Sequence, residues 1–499
     1  MPSPPHDSPA PAILLQDPDP PPRSGLQLPR STREAGRSLW LLGWPILLQT
    51  LLAASLGLVD TLMVSAVGPA ALAGVGLVSR LLFVLTMVLA GLASGTAAQV
   101  AQYAGAGRLR ATRGPVTLAL ASGVLLTLPM LLACLFWSRP LGTLLGPDPA
   151  VAAAAAIFLQ WGAAIAPLSA ITLTLSAALR SAGNTRTPMQ AGLSALALNT
   201  LLNLLFINGH FGMPALGVAA AAGATTAARL LEAIWLLRAL APGPLHRLWR
   251  SVRRADWHHL QYGAGPLMAK EVAWAGGILA STLIISRMGQ LPLAAFNLVL
   301  PVEGIMISVV ASAAVATGIL LGHALGRGEH DAAFDCAEQL RGLIARCAFA
   351  VGLLLAAVLQ WLARTGWLDG FIDVSIRSVA IDTLSVLCVA FGARAHNTVV
   401  SVGILRSGAD TRWLFWVDLC SMWLINVPMV AVAALWWRWS LPAVVGVMLL
   451  EEVLKVAIFR WRVRSRRWVR RLRRRGGTNR SSAAACSRCG KVWLWLKTP

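Results

Sequence analysis

The sequence is poor in charge. Only 13% of its 499 residues are Asp, Glu, Lys or Arg, while 56% are apolar, and the mean hydropathy is +0.65. Soluble domains carry about a quarter charged residues, so a water-soluble globular enzyme is excluded. The catalytic signatures of such enzymes are missing too. No G-x-x-x-x-G-K-[ST] loop is present to cradle phosphates, and neither H-E-x-x-H nor G-x-S-x-G occurs. No enzyme activity, cofactor or resident metal is expected. The seven cysteines supply no disulfide framework, because five of them (Cys134, Cys336, Cys347, Cys388, Cys420) fall in or near apolar runs. Cys486 and Cys489 form a single C-x-x-C. A structural zinc site needs four ligands, so a disordered tail is the expectation there, with metal or redox use as the alternative. Residues 1–38 are rich in Pro, Ser and Asp and lack the basic-then-apolar order of a signal peptide. They are expected to be a disordered cytoplasmic arm.

Long apolar runs fill the space that charge leaves. Twelve occur, at about 39–64, 70–98, 115–137, 151–179, 188–208, 214–240, 262–287, 293–322, 342–362, 376–404, 413–437 and 440–461. About 20 apolar residues cross a hydrocarbon core of about 30 Å as a helix. Their hydrophobic period is helical or unbroken, which predicts α-helices and not barrel strands. The expected fold class is an all-α polytopic membrane protein.

The net charge is +22. In a soluble protein that would point to nucleic acid, but here its placement follows the membrane. The even-numbered gaps between spans carry Arg108, Arg110 and Arg113, then Arg180 and Arg186, then Arg247 to Arg254, then Arg327, then Arg406 and Arg412. The odd-numbered gaps carry only scattered arginines such as Arg139, Arg287, Arg364 and Arg438. The positive-inside rule then puts both termini in the cytoplasm, and a bacterial inner membrane is the expected location. The segment "RWRVRSRRWVRRLRRR", 460–475, holds ten arginines and is expected to anchor at the inner leaflet, with recognition of anionic lipid as an alternative.

The chain repeats itself. Shifted by 221 residues, Pro45 falls on Pro266, Gly68 on Gly289, Thr96 on Thr317, and Gly105-x-Gly107 on Gly326-x-Gly328; shifted by 226, "LRSAGNTR" at 179–186 falls on "LRSGADTR" at 405–412. Two six-span halves follow. Six is even, so both enter the membrane the same way and are related by a pseudo-two-fold along the membrane normal. The expected organisation is an arm (1–38), a six-helix bundle (39–240), a basic cytoplasmic linker (241–261), a second six-helix bundle (262–461) and a basic cytoplasmic tail (462–499). The repeat does not copy the carboxylates: Asp60 falls on Ser281, and Glu271 on Thr50.

Those carboxylates are the candidate chemistry, since an ionisable group at mid-membrane costs about 2.5–3.5 kcal/mol on insertion scales. Asp60 shares a helix face with Ala53 and Gly57, whose small side chains let a neighbour or a water cavity approach. It can load a proton from one side and lose it on wetting. Pairing with an arginine, or facing headgroups, is the structural alternative. Asn199 and Asn203 form a stripe in the fifth span with Gly192 and Ala195. They can bind substrate, tune Asp60, or glue helices together. Glu271 lies in "GAGPLMAKEVAWAGG" with Trp274 on its face, and Lys270 is turned about 100° away on helix geometry. A carboxylate beside an aromatic can receive a lipophilic cation; the alternative is a structural Lys–Glu pair. Asn297, Glu303 (just after Pro301), His396 and Asn397 complete the candidate substrate-binding set. Without a nucleotide site, the driving force is expected to be an ion gradient, worth about 2.3 kcal/mol per charge per 100 mV.

These residues carry a family resemblance. "GWPILLQTLLAASLGLVDTLMVSAVGPAALAGVGL", "GLASGTAAQVAQYAGAGR", "ALRSAGNTRTPM", "LNLLFINGHFGMPALGVAAAAGATTAAR" and "ILRSGADTR" together resemble the multidrug and toxic compound extrusion (MATE) family over about 40–460. The resemblance implies twelve helices in two bundles, alternating access, and export of organic cations against H⁺ or Na⁺ by a monomer. It implies ion coupling at Asp60 and Glu271. Asn199 matches a fifth-helix Asn of archaeal and bacterial members, and Asn203 falls where some members carry Asp. The tenth-span stretch "ARAHNTVVSV" lacks the carboxylate of the sodium-coupled branch, so H⁺ is favoured. The rival expectation is a flippase for a lipid-linked sugar or other lipid on the same scaffold, favoured by Arg80, Arg229 and Arg394 inside spans.

Overall fold

The computed structural model describes residues 26–29, 31–146, 148–207, 209, 212–240, 252–365 and 374–469. The described residues fold as helices and connecting turns, with no strand among them. The amino-terminal half contains α1 (Thr32–Ser65), α2 (Pro69–Gly105), α3 (Arg113–Phe136), α4 (Ser138–Leu145), α5 (Pro149–Trp161), α6 (Ile165–Ser181), α7 (Arg186–Phe206) and α8 (Val218–Leu240). The carboxy-terminal half contains α9 (Arg254–His259), α10 (Gly265–Ser286), α11 (Gln290–Arg327), α12 (His330–Thr365), α13 (Val374–Val389), α14 (Phe391–Thr398), α15 (Thr411–Cys420), α16 (Val427–Ala431) and α17 (Leu441–Arg464).

Among the described residues, nine helical stretches are long and apolar enough to span a membrane, and up to eleven if two bent pairs each count as one span. The bent pairs are α5 with α6 and α13 with α14, each turning by 52°. The first bend comes just before Pro167, which has no N–H to continue the α5 ladder. The twelfth expected span is α17. It is too charged to qualify by composition, because Glu451, Glu452 and Lys455 lie at its middle, but these groups satisfy one another: Lys455 Nζ stands 2.9 Å from Glu451 and 3.6 Å from Glu452. This is the twelve-helix, two-bundle architecture expected from the sequence.

Three boundaries differ from expectation. Helix α1 starts at Thr32, inside the expected arm, because Ser31 accepts a hydrogen bond from the Glu34 N–H and caps it (3.2 Å). The short α4 was not expected: eight residues are too few to read as a span. The expected linker gives way to helix at Arg254, where the Asp256 carboxylate accepts from the Arg253 N–H at 2.7 Å. The remainder of that linker, most of the arginine tail and the Cys486–Cys489 pair lie outside the described residues.

The surface is inside-out relative to a soluble protein. Phe136, Leu125, Leu424 and Trp436 are exposed by 71%, 69%, 72% and 84%, which suits a lipid surround. Trp468, beyond α17, is fully buried instead, with its indole N–H donating to Val463 O (3.1 Å). Trp468→Ala should therefore cost about 3–5 kcal/mol. The check is the thermal unfolding midpoint in detergent, which should fall by several degrees; an unchanged midpoint would mean the packing there is optional.

The two lobes meet mainly along α2, α10 and α11, with α1 reaching α11. The tightest approaches run from the middle of α2 to its arginine-rich end. A Cβ added at Gly91 would sit 2.8 Å from Met268, and one at Gly322 would sit 2.6 Å from Ala101. In the other half, Gly57 and Gly76 of one lobe and Gly304 of the other face open space, with nothing within 4 Å of an added Cβ. The closest backbone contacts between the lobes thus lie on the arginine-rich side.

Candidate functional site

Asp60 sits one turn before the end of α1, near the arginine-poor face. Its carboxylate is held by neutral donors. Asn203 on α7 donates Nδ2 to Asp60 Oδ1 at 2.5 Å, and Thr225 on α8 donates its hydroxyl to Asp60 Oδ2 at 2.9 Å. Asn199, one turn before Asn203 on the same face, donates to Thr225 Oγ1 (3.3 Å) and accepts from Asn203 Nδ2 (3.1 Å). Asn199 and Asn203 are buried at 0% and 1% exposure, while Asp60 is half-buried. Among the described residues Asp60 forms no ion pair. Arg229, one turn beyond Thr225 on α8, is committed to Glu232 at 2.8 Å.

Two features let this site change its proton content. The Thr225 hydroxyl stands 2.9 Å from Asp60 Oδ2 and 3.0 Å from the Ala221 carbonyl. It can donate to the carboxylate, or turn to the carbonyl and accept from a protonated Asp60, so both states are satisfied. Asn203 Oδ1 is buried and has no hydrogen-bond partner. An orphaned acceptor of this kind costs about 1–3 kcal/mol, and the single O–H of a protonated Asp60 can meet either it or Thr225, one at a time.

Access is provided along α1. Gly43 faces the backbone of Ser312 on the other lobe, 3.9 Å from an added Cβ. Gly57, fourteen residues on and about 40° round the helix, points the same way but meets nothing. Ala53 and Gly57 are both exposed, so the Asp60 face of α1 is not covered by protein there.

The carboxy-terminal candidates are arranged differently. Glu271 on α10 accepts from Arg406 Nη2 at 3.1 Å and lies 3.4 Å from Lys270 Nζ. Lys270 was expected to point away; its long stem brings the ammonium back to Glu271 and within 3.6 Å of Asp418. The structural Lys–Glu pair is therefore present and is reinforced by an arginine. Glu303 is paired with Arg394. His396 is buried; Arg341 donates to its Nε2 (2.8 Å), and its Nδ1 lies 3.1 Å from Asn397 Oδ1. Asn397 in turn donates to Glu452 (2.6 Å). Asn297 is exposed on α11, apart from these groups. Asp60, Asn199 and Asn203 thus come together, while Glu271, Glu303, His396 and Asn397 enter ionic and hydrogen-bonded clusters within the other lobe.

Thr225 was missed by sequence reasoning. Helical threonines usually bond their own backbone, as Thr61 and Thr86 do, and nothing in "GATTAAR" separates Thr225 from them. Lys455 was also passed over: its 3.9 Å approach to Asp418 joins α17 to α15 and leaves no spacing signal.

The MatE family model matches residues 45–205 and 266–432, one segment in each lobe. The chain belongs to the MATE family. MATE proteins are transporters and not enzymes, and this chain is a multidrug efflux transporter by family. Among its relatives, the multidrug resistance protein PmpM of Pseudomonas aeruginosa is 26% identical over 79% of this chain and 82% of its own length. A probable multidrug resistance protein NorM of Rhizobium meliloti is 29% identical over 78% and 85%. The uncharacterized transporter YisQ of Bacillus subtilis is 23% identical over 87% and 95%. The fold matches the MATE transporter VcmN of Vibrio cholerae in its bent form, at a TM-score of 0.76 and 20% identity over 88% of this chain and 99% of that one. A MOP superfamily transporter from Pyrococcus furiosus gives 0.75 and 17% over 87% and 96%.

Proposed function

We propose that this MATE protein is an antiporter that exports organic cations in exchange for H⁺, with Asp60 as the coupling group. The observation that carries the reading is the Asp60 carboxylate, held by Asn203 and Thr225 and free of any cationic partner among the described residues. A carboxylate with a permanent arginine has no reason to exchange its ion; one held by neutral donors can pass between proton and substrate. Asn199 and Asn203 orient it. Release of one ligand before loading of the other couples the fluxes. H⁺ is preferred to Na⁺ because every donor at Asp60 stays satisfied when the proton arrives, whereas a hard cation wants several oxygen ligands.

Glu271, also a coupling candidate from the sequence, takes a different role in this reading. Its charge is spent on Arg406 and Lys270, so it braces α10 against the tenth span. Glu271→Gln should reduce the amount of folded protein and leave the pH dependence of the remaining transport unchanged. Measuring initial efflux rates between pH 6 and 8 decides this: a displaced pH profile would return Glu271 to the coupling machinery.

The flippase alternative loses support because two of its three arginines are neutralised within the protein, Arg229 by Glu232 and Arg394 by Glu303. We place the transporter in the bacterial inner membrane as a monomer with cytoplasmic termini. The supporting observation is that Leu26 and Trp468, near the two ends of the described chain, lie beside the arginine-bearing turns. Resistance of expressing cells to quaternary ammonium dyes would support export; a defect confined to envelope assembly on deletion would favour the flippase.

A further inference from the structure

The repeat offsets lead to a feature that transport at Asp60 does not explain. On α2, Gln102 donates Nε2 to the backbone carbonyl of Ser407 in the other lobe at 2.7 Å. On α11, His323 Nε2 lies 2.8 Å from the carbonyl of Ser181, again across the lobes. A carbonyl only accepts, so the proton is on His323 Nε2. Gln102 and His323 are equivalent under the shift of 221 residues, and Ser181 and Ser407 under the shift of 226. The same bond is therefore made twice, once in each direction, about the pseudo-two-fold.

Two glycines allow it. A Cβ at Gly105 would lie 2.1 Å from the His323 carbonyl oxygen, and a Cβ at Gly326 would lie 2.1 Å from the Gln102 carbonyl oxygen. These are equivalent positions too, so α2 and α11 cross backbone to backbone where no side chain fits. All four polar partners are buried. Breaking the crossing would strand two carbonyls unless water entered, and water enters only if the lobes part.

The chain ends brace the two turns that supply the carbonyls. Leu26 packs 3.5 Å from an added Cβ at Gly183, just beyond Ser181, and its carbonyl accepts from Arg327 (3.0 Å), one turn beyond His323. Trp468 lies on Gly408, next to Ser407, so closely that no Cβ would fit there.

We propose that Gln102 and His323 are paired positioning residues that latch the arginine-rich side of the cleft shut, and that the transport cycle opens this side by breaking both bonds together. The bonds are side chain to backbone, and they sit at the lobe crossing rather than inside either bundle. They therefore set the balance between the two access states and leave the ligands of Asp60 untouched.

The test is amide hydrogen exchange on the intact protein in lipid nanodiscs, without substrate, so it does not depend on the antiport reading. Gln102→Ala and His323→Ala should each speed exchange at 99–106 and 320–328 about fivefold, and the double variant by more than either. Exchange in 196–204, around the Asp60 ligands, should stay at the wild-type rate. His323→Gln, which copies the symmetry mate and can still donate to Ser181, should restore wild-type protection. Wild-type exchange at the crossing in both alanine variants would overturn the proposal. So would a His323→Gln protein that exchanges like His323→Ala.

Discussion

Asp60→Asn should abolish proton-driven efflux of a fluorescent organic cation in inverted membrane vesicles, with at least a hundredfold loss in initial rate. The substitution is nearly isosteric, and an amide can still meet Asn203 and Thr225, so membrane insertion and thermal stability should remain close to wild type. What it removes is the exchangeable charge, and with it the only step at which substrate and ion exclude one another. Thr225→Val probes the same site from the other side. It removes the hydroxyl that serves both protonation states, and should slow efflux by about tenfold without abolishing it. Unimpaired efflux by Asp60→Asn would take Asp60 out of the mechanism.

The largest effect on stability is expected at the buried pair between Arg462 and Asp410. Arg462 on α17 forks onto the carboxylate of Asp410 with bonds of 2.7 and 2.9 Å, both side chains are buried, and the guanidinium also lies 4.9 Å from the Trp413 ring. Asp410 ends the turn that follows Ser407, so the pair ties the last helix to one of the two cross-lobe turns. Removing one partner leaves an uncompensated buried charge, which costs about 3–5 kcal/mol. Asp410→Ala should therefore lower the yield of monodisperse protein severalfold and depress its thermal midpoint. Replacing both residues, as Asp410→Ala with Arg462→Met, should recover part of the loss, because no lone charge then remains. If the double variant were no better than the single one, charge burial would not be the cause.

The spans were legible because an apolar run long enough to cross a bilayer has few other readings. The carboxylate-bearing last helix was legible as well, although Glu451, Glu452 and Lys455 dilute it. Helix α4 was not, since eight residues at a membrane face carry no periodic signal. The repeat was legible at single residues, and its glycines at 105 and 326 turned out to lie at the lobe crossing. At the candidate site, the spacing of Asn199 and Asn203 placed both amides on one face, but the sequence could not say which of their three possible uses applied. Their hydrogen bonds to Asp60 and to each other supply that answer. Thr225 stayed hidden because its partner is 165 residues away and its neighbours are an alanine and another threonine. Glu271 illustrates the opposite failure. Its local helix offered an aromatic neighbour and a lysine turned aside, and its decisive partner, Arg406, belongs to a span 135 residues on.

The most direct test follows proton movement itself. Purified protein reconstituted into liposomes with an internal pH probe, at an imposed outward substrate gradient and without Na⁺, should show substrate-dependent proton flux in the direction opposite to the substrate. That flux should vanish in Asp60→Asn and be unchanged by adding Na⁺. Substrate movement with no accompanying proton flux, or a flux that requires Na⁺, would contradict proton coupling at Asp60.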